Sequence, residues 1–248
     1  MKNTRKNITN LPIVLLVFVI PIFLIFSCGE DPISNNPITD PSKISPTITV
    51  TRLIEESGKS YSQTAEAWLF SAAHPLQTCT IEDGGVSVNG IEMDILYDLF
   101  GAPYYKASGY LELDLGDTTT VTVTLSDGNY YDSTVKIQEK DLDSLNFQSP
   151  HPHDQDLPIS WHEVDTLNSM EIVIDYQFGD STGVYSIEIP DSCLSVGTYS
   201  ISSSYFVNLS GATVQITIQS IKDGIANSGF HNGLIQSVLS ITKPCVIE

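Results

Sequence analysis

The chain is short of positive charge. Lys and Arg number 11 against 30 Asp and Glu, a formal net charge of −19. So acidic a polymer is repelled by phosphates, which excludes nucleic acid as a partner and argues against an anionic membrane surface. Cysteine is scarce too: four in 248 residues, with no C-x-x-C spacing. Neither a thiol redox pair nor a cysteine zinc site has a basis. Sustained i, i+3, i+4, i+7 apolar periodicity is missing, which argues against a helical body. Asp141 and Asp143 lack the glycine-punctuated acidic loop of a calcium-binding hand. The chain does have one long apolar run, and it lies near the N-terminus.

Lys2, Arg5 and Lys6 precede that run, residues 11–26, and the small Ser27 then stands directly before Cys28. This order is the anatomy of a secretory signal. A transmembrane helix fits less well, because the run falls short of about 20 residues and is broken by Pro12 and Pro21. Ile25, Phe26, Ser27 and Cys28 resemble a bacterial lipobox, with Phe26 bulkier than the residue usual at its place. The resemblance implies cleavage before Cys28, its lipidation, and attachment to a membrane through that lipid. Gly29 rather than Asp follows the cysteine, and Glu30-Asp31 resembles surface-export signals. The expectation is an outer-membrane lipoprotein, surface-exposed or periplasm-facing. Residues 1–27 carry three basic and no acidic residues, so the remainder holds eight against 30, a net charge of −22.

Residues 28–46 contain Pro32, Pro37, Pro41 and Pro46 among polar residues and read as a disordered tether. From Ile48 onward the pattern alternates at period two. Val86 and Val88 run into Asn89-Gly90, a hairpin signal, with Ile91, Met93 and Ile95 returning. Leu111, Leu113 and Leu115 alternate, as do Val121, Val123 and Leu125. Residues 64–73 are alanine-rich and leave room for a turn of helix. A second proline-rich break covers residues 141–158. Beyond it, Met170, Ile172, Ile174 and Tyr176, then Tyr185, Ile187 and Ile189, then Val214, Ile216 and Ile218, and finally residues 234–241, form strand faces. Many short strands between turn signals predict an all-β fold of two tandem antiparallel β-sandwiches, residues 47–140 and 159–248, joined by a linker at 141–158.

Residues 86–90 followed by 122–136 resemble the Ig-like domains of bacterial surface lipoproteins. Residues 158–161 followed by 183–190 resemble a fibronectin type III-like domain. The resemblance implies fold and setting: a membrane-anchored, non-catalytic module for adhesion, ligand capture or envelope assembly, with a protein or glycan as ligand.

Two constellations point elsewhere. Trp68 to His74 resembles the histidine motif of trypsin-like proteases, and Gly179, Asp180 and Ser181 their nucleophile motif. A divergent serine hydrolase would use Ser181 as nucleophile, His74 as base and Asp94 or Asp98 to orient it. Against it stand Thr182 in place of a glycine, Pro75 after the histidine, and strand-like alternation from Val184 where a nucleophile elbow needs a helix. No catalytic residue is assigned. His151, His153, Asp154 and Asp156, with His162 nearby, read as linker polarity, and neither metal nor cofactor is expected. Cys28 aside, Cys79, Cys193 and Cys245 remain, and Cys193–Cys245 is the expected disulfide, with three buried thiols the alternative. The pairs Tyr104-Tyr105 and Tyr130-Tyr131 should each place one ring inward and one outward. Trp161 should be core.

Overall fold

A computed structural model describes residues 37–54, 61–108, 111–140, 142, 144–162, 169–179 and 181–248. The lipobox and Cys28 lie outside them. The first half contributes β1 (Ile44–Ile54), β2 (Tyr61–Ser71), β3 (Gly85–Val88), β4 (Ile91–Glu92), β5 (Asp94–Tyr97), β6 (Pro103–Ser108), β7 (Thr118–Thr124) and β8 (Tyr130–Lys136). The second contributes β9 (Leu145–Asn146), β10 (Leu157–Trp161), β11 (Ser169–Phe178), β12 (Ser181–Glu188), β13 (Thr198–Ile201), β14 (Thr213–Asp223) and β15 (Leu234–Val246). Helix among the described residues is confined to single turns, the α-helical one spanning Asp191–Leu194. The fold is all-β.

Eight strands make one sheet, in the order β12-β11-β14-β15-β1-β2-β6-β5. That sheet draws on both halves of the chain. It is sewn together in the middle by β1 and β15, which pair in parallel from Thr47–Leu234 to Ile54–Ile241. Two small sheets, β4-β3-β7-β8 and β13-β10-β9, complete the fold. Register along β15 is unbroken against both neighbours, so Ile235, Ser237, Leu239 and Ile241 all share one face.

Ile235 packs in one core with Ile48, Val50, Ala65 and Ala67 of the large sheet and Val86, Val121 and Val135 of the four-stranded sheet. Leu239 and Ile241 pack in a second core with Ile54, Ile172 and Ile218 of the large sheet and Ile159, Trp161 and Ile201 of the three-stranded sheet. The two cores therefore lie side by side on the same face of a shared sheet, and no break falls near residue 150. The described residues all belong to one compact unit.

A polar seam divides the cores. The Gln138 amide donates to the carbonyls of Ser220 (2.9 Å) and Ser237 (3.1 Å), and its Oε1 accepts from Ser237 Oγ (3.0 Å). Beside it, Arg52, opposite Leu239 in the sheet, donates from Nη1 to the Leu113 carbonyl (3.0 Å). Hydrogen bonds of this kind offset the cost of burying polar groups between two apolar cores.

Two expectations are corrected in detail. The body begins before residue 47: Ile44 is fully buried, and Ile38 exchanges hydrogen bonds with Ser126. Pro41 opens a 3-10 turn capped by Asp40, and Pro46 precedes the first residue of β1 that pairs with β15, so neither proline obstructs the structure. Residues 141–158 are likewise not a plain exposed linker. Leu142, Leu145 and Leu157 enter the second core, and His151 is buried, donating from Nε2 to the Gln155 carbonyl (3.0 Å). The alanine-rich stretch is strand β2, its small Ala65 and Ala67 facing the core.

Candidate functional site

The expected triad does not assemble. Ser181 opens β12 at one edge of the large sheet, whereas His74 follows β2. Four strands separate β12 from β2, so five inter-strand steps of about 4.8 Å hold the two side chains roughly 24 Å apart across the sheet. Asp94 lies on β5 and Asp98 in the turn beyond it, further still from the serine. Among the described residues no three His, Cys, Asp or Glu side chains are grouped to hold a metal ion. Nor is any helix there long and apolar enough to cross a membrane, which says nothing of a β-barrel.

Cys79, Cys193 and Cys245 are all free thiols. The expected Cys193–Cys245 bridge is not made, because the two sit in different surroundings. Cys245 is buried on β15 with Sγ toward the Gln148 carbonyl. Cys193 lies in the single helical turn and lines a groove with Pro158, Tyr199 and Ser200. Burial pushes the Cys245 thiol up and takes Cys79 to about 11.

The tyrosine pairs alternate as expected. Tyr105 is fully buried and accepts a hydrogen bond from the Ile81 amide (2.9 Å), and Tyr131 packs against Phe230, while Tyr130 is exposed. Tyr104 turns to the open face and stacks on Trp68, ring centroids 4.7 Å apart. Trp161 is in the second core.

A different region gathers functional character. Of fifteen large apolar side chains exposed among the described residues, five, from Ile95 to Phe100, lie on one strand and the turn that follows it. They belong to the β5–β6 hairpin, whose register ends at Tyr97–Pro103. The turn is held from within. Asp98 Oδ1 accepts from the amides of Phe100 and Ala102 (both 2.8 Å), and Gly101 adopts the left-handed φ of +81° that closes it. This braced turn presents Leu99 at 98% and Phe100 at 72% exposure.

Beside it the sandwich stands open. The chain leaves the four-stranded sheet at β4, turns through buried Met93, and enters the large sheet as β5, so both strands are outermost in their sheets. A cavity of about 410 Å³ is lined from both sheets, by Met93, Ile95 and Tyr105 and by Val86, Asp83 and Glu92. On the open face, Glu66, Lys106 and Asp94 form one row across β2, β6 and β5. Lys106 donates to Glu66 (2.6 Å), and that bond holds its pKa above the ordinary lysine value.

Sequence reading missed this site because its apolar residues resemble a continuation of strand alternation. The available signal was Leu99-Phe100 standing before Gly101, large apolar residues in a turn where polar ones usually sit. Comparison with protein-family models and with curated proteins finds no match for this chain.

Proposed function

We propose that this chain is a lipid-anchored outer-membrane protein, displayed at the surface, that acts without catalysis as a binding module. The observation that carries the binding role is the braced hairpin exposing Leu99 and Phe100. Burying two such side chains releases roughly 1.5–3 kcal/mol each, and a folded protein keeps them in water only at a cost. Docking through that hairpin recovers the energy. The acidic, cation-poor composition suits an exported soluble body. The signal-like residues 1–27 and Cys28 supply the address and the anchor. The Ig-like and fibronectin III-like reading is kept in this form: two sandwich modules fused through a common sheet.

A photo-crosslinking amino acid placed at position 99 on living cells tests the docking role. A discrete adduct is expected there and none at the exposed, distant Val207. Equal labelling at both positions, or none at 99, would remove the binding role. Display is tested separately by protease treatment of intact and lysed cells. Digestion of the folded body on intact cells is expected, and protection until lysis would place it facing the periplasm.

A further inference from the structure

Resting on that reading, the geometry points to a specific class of partner: an extended polypeptide segment that adds to β5 as a ninth strand, with apolar side chains and one basic residue at a fixed place.

Three independent features converge. First, β5 is the outermost strand of the large sheet, and all four of its residues are exposed. It is short and carries one charge, Asp94, but it has no lysine, proline or bulge, and Ile95, Leu96 and Tyr97 follow one another exposed along it. Second, the cavity is lined from both sheets, with Ile95 of that edge and Glu92 of the neighbouring edge of the four-stranded sheet among its residues. A strand added to β5 would alternate its side chains, one entering the cavity over Met93 and Tyr105 beside Ile95, the next on the open face. Third, the open-face rows stop short at β5. One runs Glu66, Lys106, Asp94, negative, positive, negative, and its next member is a lysine or arginine. The other runs Trp68, Tyr104, Leu96, and its next member is aromatic or aliphatic. An antiparallel partner thus reads aromatic or aliphatic, aliphatic, basic at three consecutive positions opposite Leu96, Ile95 and Asp94.

Lipid is the competing occupant of an apolar tip, and two features disfavour it. Inserting Leu99 and Phe100 into hydrocarbon would carry the adjacent unpaired strand edge toward a medium that cannot hydrogen-bond it, whereas a peptide satisfies it strand to strand. The surrounding charge is acidic, with Asp83, Glu92, Asp94 and Asp98 near the edge and Lys106 of the neighbouring strand already held by Glu66. Such a surface attracts basic peptide and is repelled by anionic headgroups.

The test uses the full-length protein in nonionic detergent and a fluorescent octapeptide with tyrosine, valine and lysine in succession at its centre and threonine elsewhere. A twin peptide carries glutamate for lysine. Cross-strand charge pairs are modest, so the lysine peptide is expected to bind roughly three- to ten-fold tighter by anisotropy. The variant Asp94→Lys, altered at an exposed position, should reverse the preference. Equal affinity for the twins, a preference unmoved by Asp94→Lys, or no binding to either overturns the inference. So does binding to phosphatidylcholine vesicles that falls in a Leu99→Asp/Phe100→Asp protein without any peptide binding. Those failures leave the docking role of the hairpin standing if crosslinking at position 99 succeeds, so the two ideas fail separately.

Discussion

At the scale of single residues, the cysteines show how environment decides chemistry. Cys79 and Cys245 are buried, whereas Cys193 is half-exposed at the rim of a groove. Thiolate is the reactive form, and burial withholds it. A thiol reagent should therefore label Cys193 first in the native protein and reach Cys79 and Cys245 only in denaturant, read out by peptide mapping. Native protein isolated with Cys193 and Cys245 disulfide-linked would contradict this. The pH dependence follows with a definite sign. The folded state holds the Cys79 thiol up to about 11, above its unfolded value near 8.5. Its contribution is complete below that unfolded value and is lost as pH rises toward 11. Stability should decline across that window, and Cys79→Ala should flatten the decline in thermal melts.

At the scale of elements, the seam between the cores is the most exposed to mutation. Gln138 serves two carbonyls and one hydroxyl at once. Gln138→Leu strands these groups without water and is expected to cost about 1–3 kcal/mol, measured by urea denaturation. Ser237→Ala removes a hydroxyl shared between Gln138 Oε1 and the Lys136 carbonyl, leaves the Gln138 amide bonds in place, and should cost less. Elements of this kind were only partly legible in the sequence. Val121, Val123 and Leu125, or Met170, Ile172 and Ile174, announce their strands because a half-buried strand writes a local period of two. Asn89-Gly90 announces its turn because both residues take positive φ, 48° and 79°. Three features were hidden. Ala65 and Ala67 disguise β2, since small core residues carry little hydrophobic signal. Met93 continues the alternation of Ile91 and Ile95 although the chain changes sheets there. The pairing of Thr47 with Leu234 joins residues far apart in the chain, and no local pattern encodes it. The candidate site shares this fate, because an edge and a cavity exist only once both sheets are placed.

At the scale of the whole molecule, the shared sheet decides how the protein melts. Two tandem sandwiches would unfold independently. Here β1 and β15 carry side chains of both cores, so loss of either strand breaches both. Calorimetry should show a single transition with equal calorimetric and van't Hoff enthalpies. Residues 37–150 and 151–248 produced as separate chains should each fail to give dispersed amide NMR spectra, and should gain them on mixing. Two well-resolved transitions would restore the picture of independent modules.

The central place of β1 has a mechanical meaning for a protein held by its N-terminus. Tension from an anchor meets the Ile38–Ser126 bonds first and then runs lengthwise down β1, flanked on both sides, by eleven registered residues of β2 and eight of β15. Drawn that way, the two ladders slide against the strand and their bonds bear the load together, instead of peeling one at a time as at an edge. The body is thus gripped by an interior strand, while the hairpin proposed to dock a partner hangs from the rim. Under load between such an anchor and a partner docked there, the rim contact would release before the grip gives way.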